Sequence, residues 1–67
     1  MEKGYVMSFN TEKNYGFIRG IHDDYWFHVR DMVDPTNRIQ KNDPVLFDVI
    51  ENRQQKGKYR AIHVLKV

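Results

Sequence analysis

The sequence predicts an all-β protein, a five-stranded antiparallel barrel built from one domain over residues 1–67. Three observations predict it. Apolar side chains recur at every second position in short runs, which is how a strand with two unlike faces reads. Turn-forming residues separate those runs. Helical spacing of apolar residues is hard to find anywhere. An open sheet this small would leave long unpaired edges, so closure into a barrel is the expected arrangement.

The first strand is expected over Gly4 to Phe9, where Tyr5, Met7 and Phe9 alternate with Gly4, Val6 and Ser8. Asn10 to Lys13 reads as a turn, because Asn and Thr side chains compete for backbone hydrogen bonds. The second strand, Asn14 to Ile18, puts Tyr15 and Phe17 on one face and Gly16 and Ile18 on the other. Gly20 to Asp24 is a further turn. The third strand, Tyr25 to Val29, separates Trp26 and His28 from Tyr25, Phe27 and Val29. Arg30 to Asp43 has no period. Pro44 fits only the first position of a strand or an edge. The fourth strand, Val45 to Ile50, aligns Val45, Phe47 and Val49. Glu51 to Lys58 is a polar hairpin loop, and Tyr59 to Val67 is the fifth strand.

Composition narrows the function. A chain of 67 residues buries roughly 60% of its unfolded surface, so stability is expected to be modest. Without cysteine there is no disulfide and no thiolate metal site, which fits a reducing cytoplasm. The apolar runs are far too short to span a membrane, and no signal-peptide pattern opens the chain. Eleven Lys and Arg against nine Asp and Glu leave a charge of +2, a mild bias that permits a nucleic-acid partner without requiring one.

Strand parity assigns the aromatic residues. The apolar set Val6, Ile18, Phe27, Val45, Phe47 and Val49 can fill a small barrel, with Gly16 where backbones approach closely. Tyr15, Phe17, Trp26 and His28 are then left together on the outer face, with Met7 and Phe9 beside them. Phe9 can equally tuck under the barrel rim. An exposed cluster of rings usually marks a binding surface. Bordered by Lys13, Arg19, Arg30, Lys56, Lys58 and Arg60, it suits unstacked bases on a phosphate backbone. A one-residue slip of register would exchange the faces and turn the same rings into core.

At these residues the chain resembles the cold-shock domain. "KGYVMSFNTEKNYGFI" is similar to the family's K-G-x-V-K-W-F-N-x-x-K-G-F-G-F-I, and "YWFHV" to its V-F-V-H-F. Asp43 to Val49 and "KGKYRAIHV" continue the likeness, with His63 in place of an asparagine. The resemblance implies an OB-fold barrel that binds single-stranded RNA or DNA in the cytoplasm, with an RNA chaperone or expression regulator as the role. It carries over Lys13, Tyr15, Phe17, Trp26 and His28 as binding positions, with Phe9 and Asn10 at the margin; Arg30 and Lys58 are added as phosphate contacts. It also marks departures. Ser8 stands where the family has a stacking tryptophan, Met7 replaces a lysine, and Val29 replaces a phenylalanine. The loop aromatic near Asn37 and Arg38 is missing. Asn14 replaces a glycine, which a residue tolerant of positive φ can do.

Other chemistry finds little support in the sequence. His22, His28 and His63, with Asp23 and Asp24, lack the spacing of a metal site, so no metal and no cofactor are expected. No nucleophile, base and orienting group can be assembled, so no catalytic residue and no enzyme are expected. A monomer is expected, with pairing through an edge strand as the alternative. The rival reading of function is a protein–protein interaction module on a retained barrel whose stacking face is weakened by Ser8 and Val29.

Overall fold

The structure, a computed structural model, describes residues 1–36 and 38–67. Its strands are β1 (Glu2–Asn10), β2 (Tyr15–Arg19), β3 (Asp24–His28), β4 (Pro44–Glu51) and β5 (Tyr59–Lys66), with one 3-10 turn at Val29–Asp31. Each expected strand is present, with no end more than two residues from its expected place. Pro44 opens β4, where its missing N–H costs no ladder bond. The strands close into a barrel in the order β1-β2-β3-β5-β4.

One pairing departs from the antiparallel expectation. β3 and β5 run parallel, joined through Trp26 and Arg60. A parallel neighbour needs a crossover of a dozen or more residues, and here the chain between β3 and β5, residues 29–58, passes through β4, which pairs antiparallel with β5. The closure is extended by a parallel bridge between Met32 and Val64 and by Val33 N–H donating to the Val64 carbonyl at 2.8 Å.

The core holds Val6, Ile18, Phe27, Val45, Phe47, Ala61 and Val64 at 0–1% exposure, with Met32 and Ile39 nearly as buried. Five of the six expected core side chains are among them. Val49 is half-buried and packs against this cluster. Met32 and Ile39 come from the segment between β3 and β4, which has no period to betray them. Ala61 and Val64 are three residues apart, so alternation would put them on opposite faces. A bulge in β5 reconciles them. Leu46 pairs with Leu65 and Asp48 with Ile62, so β5 uses one more residue than β4, and His63 there adopts φ 50°.

A second bulge overturns part of the expected first strand. Val6 pairs with Ile18 but Ser8 pairs with Phe17, so Met7 is the extra residue of β1. Past it the faces exchange. Of the two places open to Phe9, beside Met7 on the outer face or under the barrel rim, it takes the second: it lies opposite buried Gly16 and stacks on core Phe27 with ring centroids 5.9 Å apart. A Cβ at Gly16 would come within 2.9 Å of the Phe9 ring and collide with the Ser8 carbonyl, so glycine is what lets Phe9 fold over the barrel here.

Candidate nucleic-acid interface

The turn between β1 and β2 sets one end of the site. Asn10 Oδ1 accepts from the N–H of Glu12 at 3.0 Å and of Lys13 at 3.1 Å. The Asn10 carbonyl accepts from Asn14 N–H at 2.8 Å, and Asn14 takes φ 59°. The left-handed position expected of Asn14 is therefore present. The carboxamide oxygen of Asn10 is occupied in holding this turn, and the Lys13 side chain is left exposed beside Tyr15.

The rings follow. Tyr15 pairs with His28 and Phe17 with Trp26 across β2 and β3, which puts all four side chains on the outer face of two adjacent strands. Tyr15 and Trp26 are inclined at 30° with centroids 6.3 Å apart, Tyr15 meets Phe17 edge-on at 6.4 Å, and Trp26 is tilted against His28 at 6.2 Å. Phe17 is 39% exposed and the other three are half-buried, each leaning on its neighbours. The expected parity of β2 and β3 thus holds, and these rings are not core.

His28 is fixed by a reciprocal cap. Its Nδ1 accepts from Arg30 N–H at 3.2 Å, while its own N–H donates to Asp31 Oδ2 at 3.0 Å. With Nδ1 as acceptor, the neutral ring carries its proton on Nε2. Asp31 is the residue that sequence reasoning missed. Its side chain is only 8% exposed, and it sits 3.8 Å from Arg60 Nη1, tying the 3-10 turn to β5. The signal was an aspartate three residues after His28 at the start of a turn, the spacing of a capping box.

Cations border the rings. Arg30 is exposed on the 3-10 turn and Lys58 at the end of the β4–β5 loop. Both line a groove of about 840 Å³ that Phe17 and Trp26 also line. Arg19, expected as a bordering cation, is engaged by Asp24 through contacts of 3.0 and 3.3 Å. This pair holds the Asp24 carboxyl below its usual range and raises Arg19 further above its own.

A second cleft of about 490 Å³ opens beside Phe9, Val29, Met32, Ile39 and Arg38. It bears on one of the departures: Val29 presents a smaller side chain to this cleft than phenylalanine would. Arg38 also lines the cleft, and its carbonyl accepts from Lys66 Nζ at 2.9 Å. Asn37, the other position considered for the loop aromatic, lies outside the described residues. Among the described residues no three potential ligands gather for a metal ion, and no helix is long and apolar enough to cross a membrane.

Comparison with known proteins agrees with this geometry. The family model described as the 'Cold-shock' DNA-binding domain matches residues 2–67. A solved structure described as drosophila Unr CSD456 is similar with a TM-score of 0.79 and 28% identity. That match covers 98% of this chain and 26% of the other, so the chain spans about a quarter of the length of that structure. No curated protein matches it. The sequence motifs, the closed five-stranded barrel and a family model spanning nearly every residue converge: the chain belongs to the cold-shock domain family, a nucleic-acid-binding family in general.

Proposed function

We propose that the protein binds single-stranded RNA or DNA without catalysis, as a single domain over residues 1–67. Bases stack on Tyr15, Phe17, Trp26 and His28, and phosphates meet Lys13, Arg30 and Lys58. Phe9 and Asn10 act at the margin, Phe9 by filling the rim beneath the rings and Asn10 by holding the turn that presents Lys13.

The observation that carries this reading is the contiguity of four rings on one outward face, with Phe17 39% exposed at its centre. Each base has a π face, so such a face accepts bases of any sequence, with about 1–3 kcal/mol for each stack. Stacking needs splayed bases, which a duplex withholds. Binding the unpaired form draws folded RNA toward its open state by mass action, so an RNA chaperone or expression regulator in the cytoplasm is the role we assign.

The test is quenching of Trp26 fluorescence by a short oligonucleotide, in competition with the same sequence as a duplex. Strong quenching that the duplex fails to displace supports the reading. Equal affinity for both forms overturns the stacking mechanism and leaves only a basic surface. No binding at all moves the barrel to a protein-docking role.

A further inference from the structure

We propose that the outer face of β1, β4 and β5 joins two copies of this chain in a weak two-fold dimer, with Leu46 and Leu65 at its centre and Lys3 of each copy set against Asp48 of the other. In the barrel order β4 lies between β1 and β5, away from both strands that carry the rings. The inference therefore stands apart from what the ring face binds.

Register builds this face. Val45 and Phe47 are buried, so Leu46 between them points outward. Lys3 on β1 and Leu65 on β5 are its direct partners and share its side. Tyr5 and Pro44 pair with each other two residues away and also face out. Val67 extends the patch, its N–H donating to the Pro44 carbonyl at 3.0 Å. Tyr5 is 41% exposed and Leu65 38%. Contiguous apolar side chains left uncovered on one face mark an interaction surface. A polyanion finds little to hold it there, because the patch is uncharged at its centre and Asp48 repels phosphate.

Charge complementarity selects a second copy as the occupant. Lys3 lies one strand across from Leu46, and Asp48 lies two residues along β4 from it. Among the described residues Lys3 has no ion-pair partner. Asp48 meets His63 at 3.0 Å yet keeps 42% of its side chain exposed. An isologous contact brings the same patch from both chains together. A two-fold axis lying in the contact plane, and running diagonally between Leu46 and Leu65, carries the leucine pair of one copy onto that of the other. The same axis carries Lys3 onto Asp48 and Tyr5 toward Ile62, which shares the outer side as the partner of Asp48. Two ion pairs then flank an apolar centre, and they fix the register of the contact.

Area sets the strength. Three strands spaced about 4.8 Å apart offer on the order of 300–500 Å² per chain, below the roughly 800 Å² of a stable interface. The dimer is thus a transient one, populated at high protein concentration.

Sedimentation velocity from about 0.05 to about 2 mM protein tests this on the wild type, Leu65→Lys, Lys3→Glu, Asp48→Lys and the double variant Lys3→Glu/Asp48→Lys. Wild type is expected to move from monomer toward dimer across the range, and Leu65→Lys to stay monomeric. Each single charge variant should raise the dissociation constant about 3- to 10-fold, and the double variant should return to within about 2-fold of wild type. Asp48→Lys also loses its contact with His63, so recovery in the double variant is the decisive reading. Circular dichroism checks each fold, and the charge series decides the matter even if Leu65→Lys unfolds. A wild type that stays monomeric throughout would overturn the dimer. Association untouched by Leu65→Lys would overturn the face, and a double variant as weak as its singles would overturn the two-fold register. At micromolar concentration Leu65→Lys should bind oligothymidylate no more weakly than wild type; a loss there would assign the face to nucleic acid and overturn the proposal.

Discussion

Ser8 lies directly opposite Phe17 across β1 and β2, one residue past the Met7 bulge. Cross-strand partners share a face, so a side chain at position 8 stands beside the most exposed ring of the site. Serine offers no π surface there. Ser8→Trp is expected to raise affinity for single-stranded oligonucleotide by about 1–3 kcal/mol. Stacking releases no counterions, so the gain should persist as salt rises, whereas contacts from Lys13 should fade. Titrations at two salt concentrations check both points. An unchanged affinity with the fold intact would mean that β1 lies off the nucleic-acid path.

Phe17 and Phe27 are two phenylalanines with opposite fates, and their alanine variants should separate function from folding. Phe17→Ala is expected to weaken binding by about 1–3 kcal/mol with a native circular dichroism spectrum, because its ring is displayed. Phe27→Ala is expected to cost about 3–5 kcal/mol of stability, because its ring is fully buried. Urea denaturation of both variants, set beside their oligonucleotide titrations, makes the comparison. Unfolding of Phe17→Ala would show that its ring is structural.

Asp31 should matter through His28. It accepts the His28 N–H and neighbours Arg60, in a nearly buried position. Asp31→Ala leaves that N–H without its partner and removes the turn's cap, which is expected to cost about 1–3 kcal/mol of stability. Asp31→Asn keeps an acceptor oxygen and should lose less. Thermal melts of the two variants decide it; equal losses would mean that the charge, rather than the hydrogen bond, holds the turn.

His63 tests backbone against ion pair. It occupies φ 50° in the β5 bulge and places Nδ1 3.0 Å from Asp48 Oδ2 on the exposed surface. An exposed pair contributes little, whereas a β-branched residue is strained in the left-handed region. His63→Val is expected to destabilise by about 1–2 kcal/mol, and His63→Gly to be neutral or stabilising, although both delete the pair. Similar losses in denaturant midpoint for both would transfer the importance to Asp48.

The Arg19–Asp24 pair should show at acid pH. The hydrogen bond from Arg19 lowers the Asp24 pKa below its ordinary 3.8. A carboxyl with a depressed folded-state pKa stabilises the protein above the unfolded value and loses that contribution as pH falls through the folded one. The melting-temperature gap between wild type and Asp24→Asn should therefore be constant near neutrality and shrink from about pH 4 downward. Asp34, held low by the Thr36 hydroxyl, titrates with the same sign, so the difference between the two proteins is the quantity to follow. A gap that persists at low pH would assign the effect to something other than ionisation.

The sequence by itself determined the strands, their faces over β2 and β3, and most of the core. Period two is a local property, and neighbours along the chain are enough to read it from Tyr15 to His28. The motifs carried the family from the same stretch. Only the tertiary structure decided what depends on partners distant in sequence. Whether a strand bulges is set by the strand beside it, so the inward turn of Phe9 and the shared face of Ser8 and Phe17 could not be read from β1 alone. The same holds for Ala61 and Val64, three residues apart and both buried. Met32, Ile39 and Asp31 belong to a segment without period, whose burial exists only once β3 and β5 have closed in parallel. The groove between Trp26 and Tyr59 arises from that same closure, because it joins residues that no spacing along the chain connects.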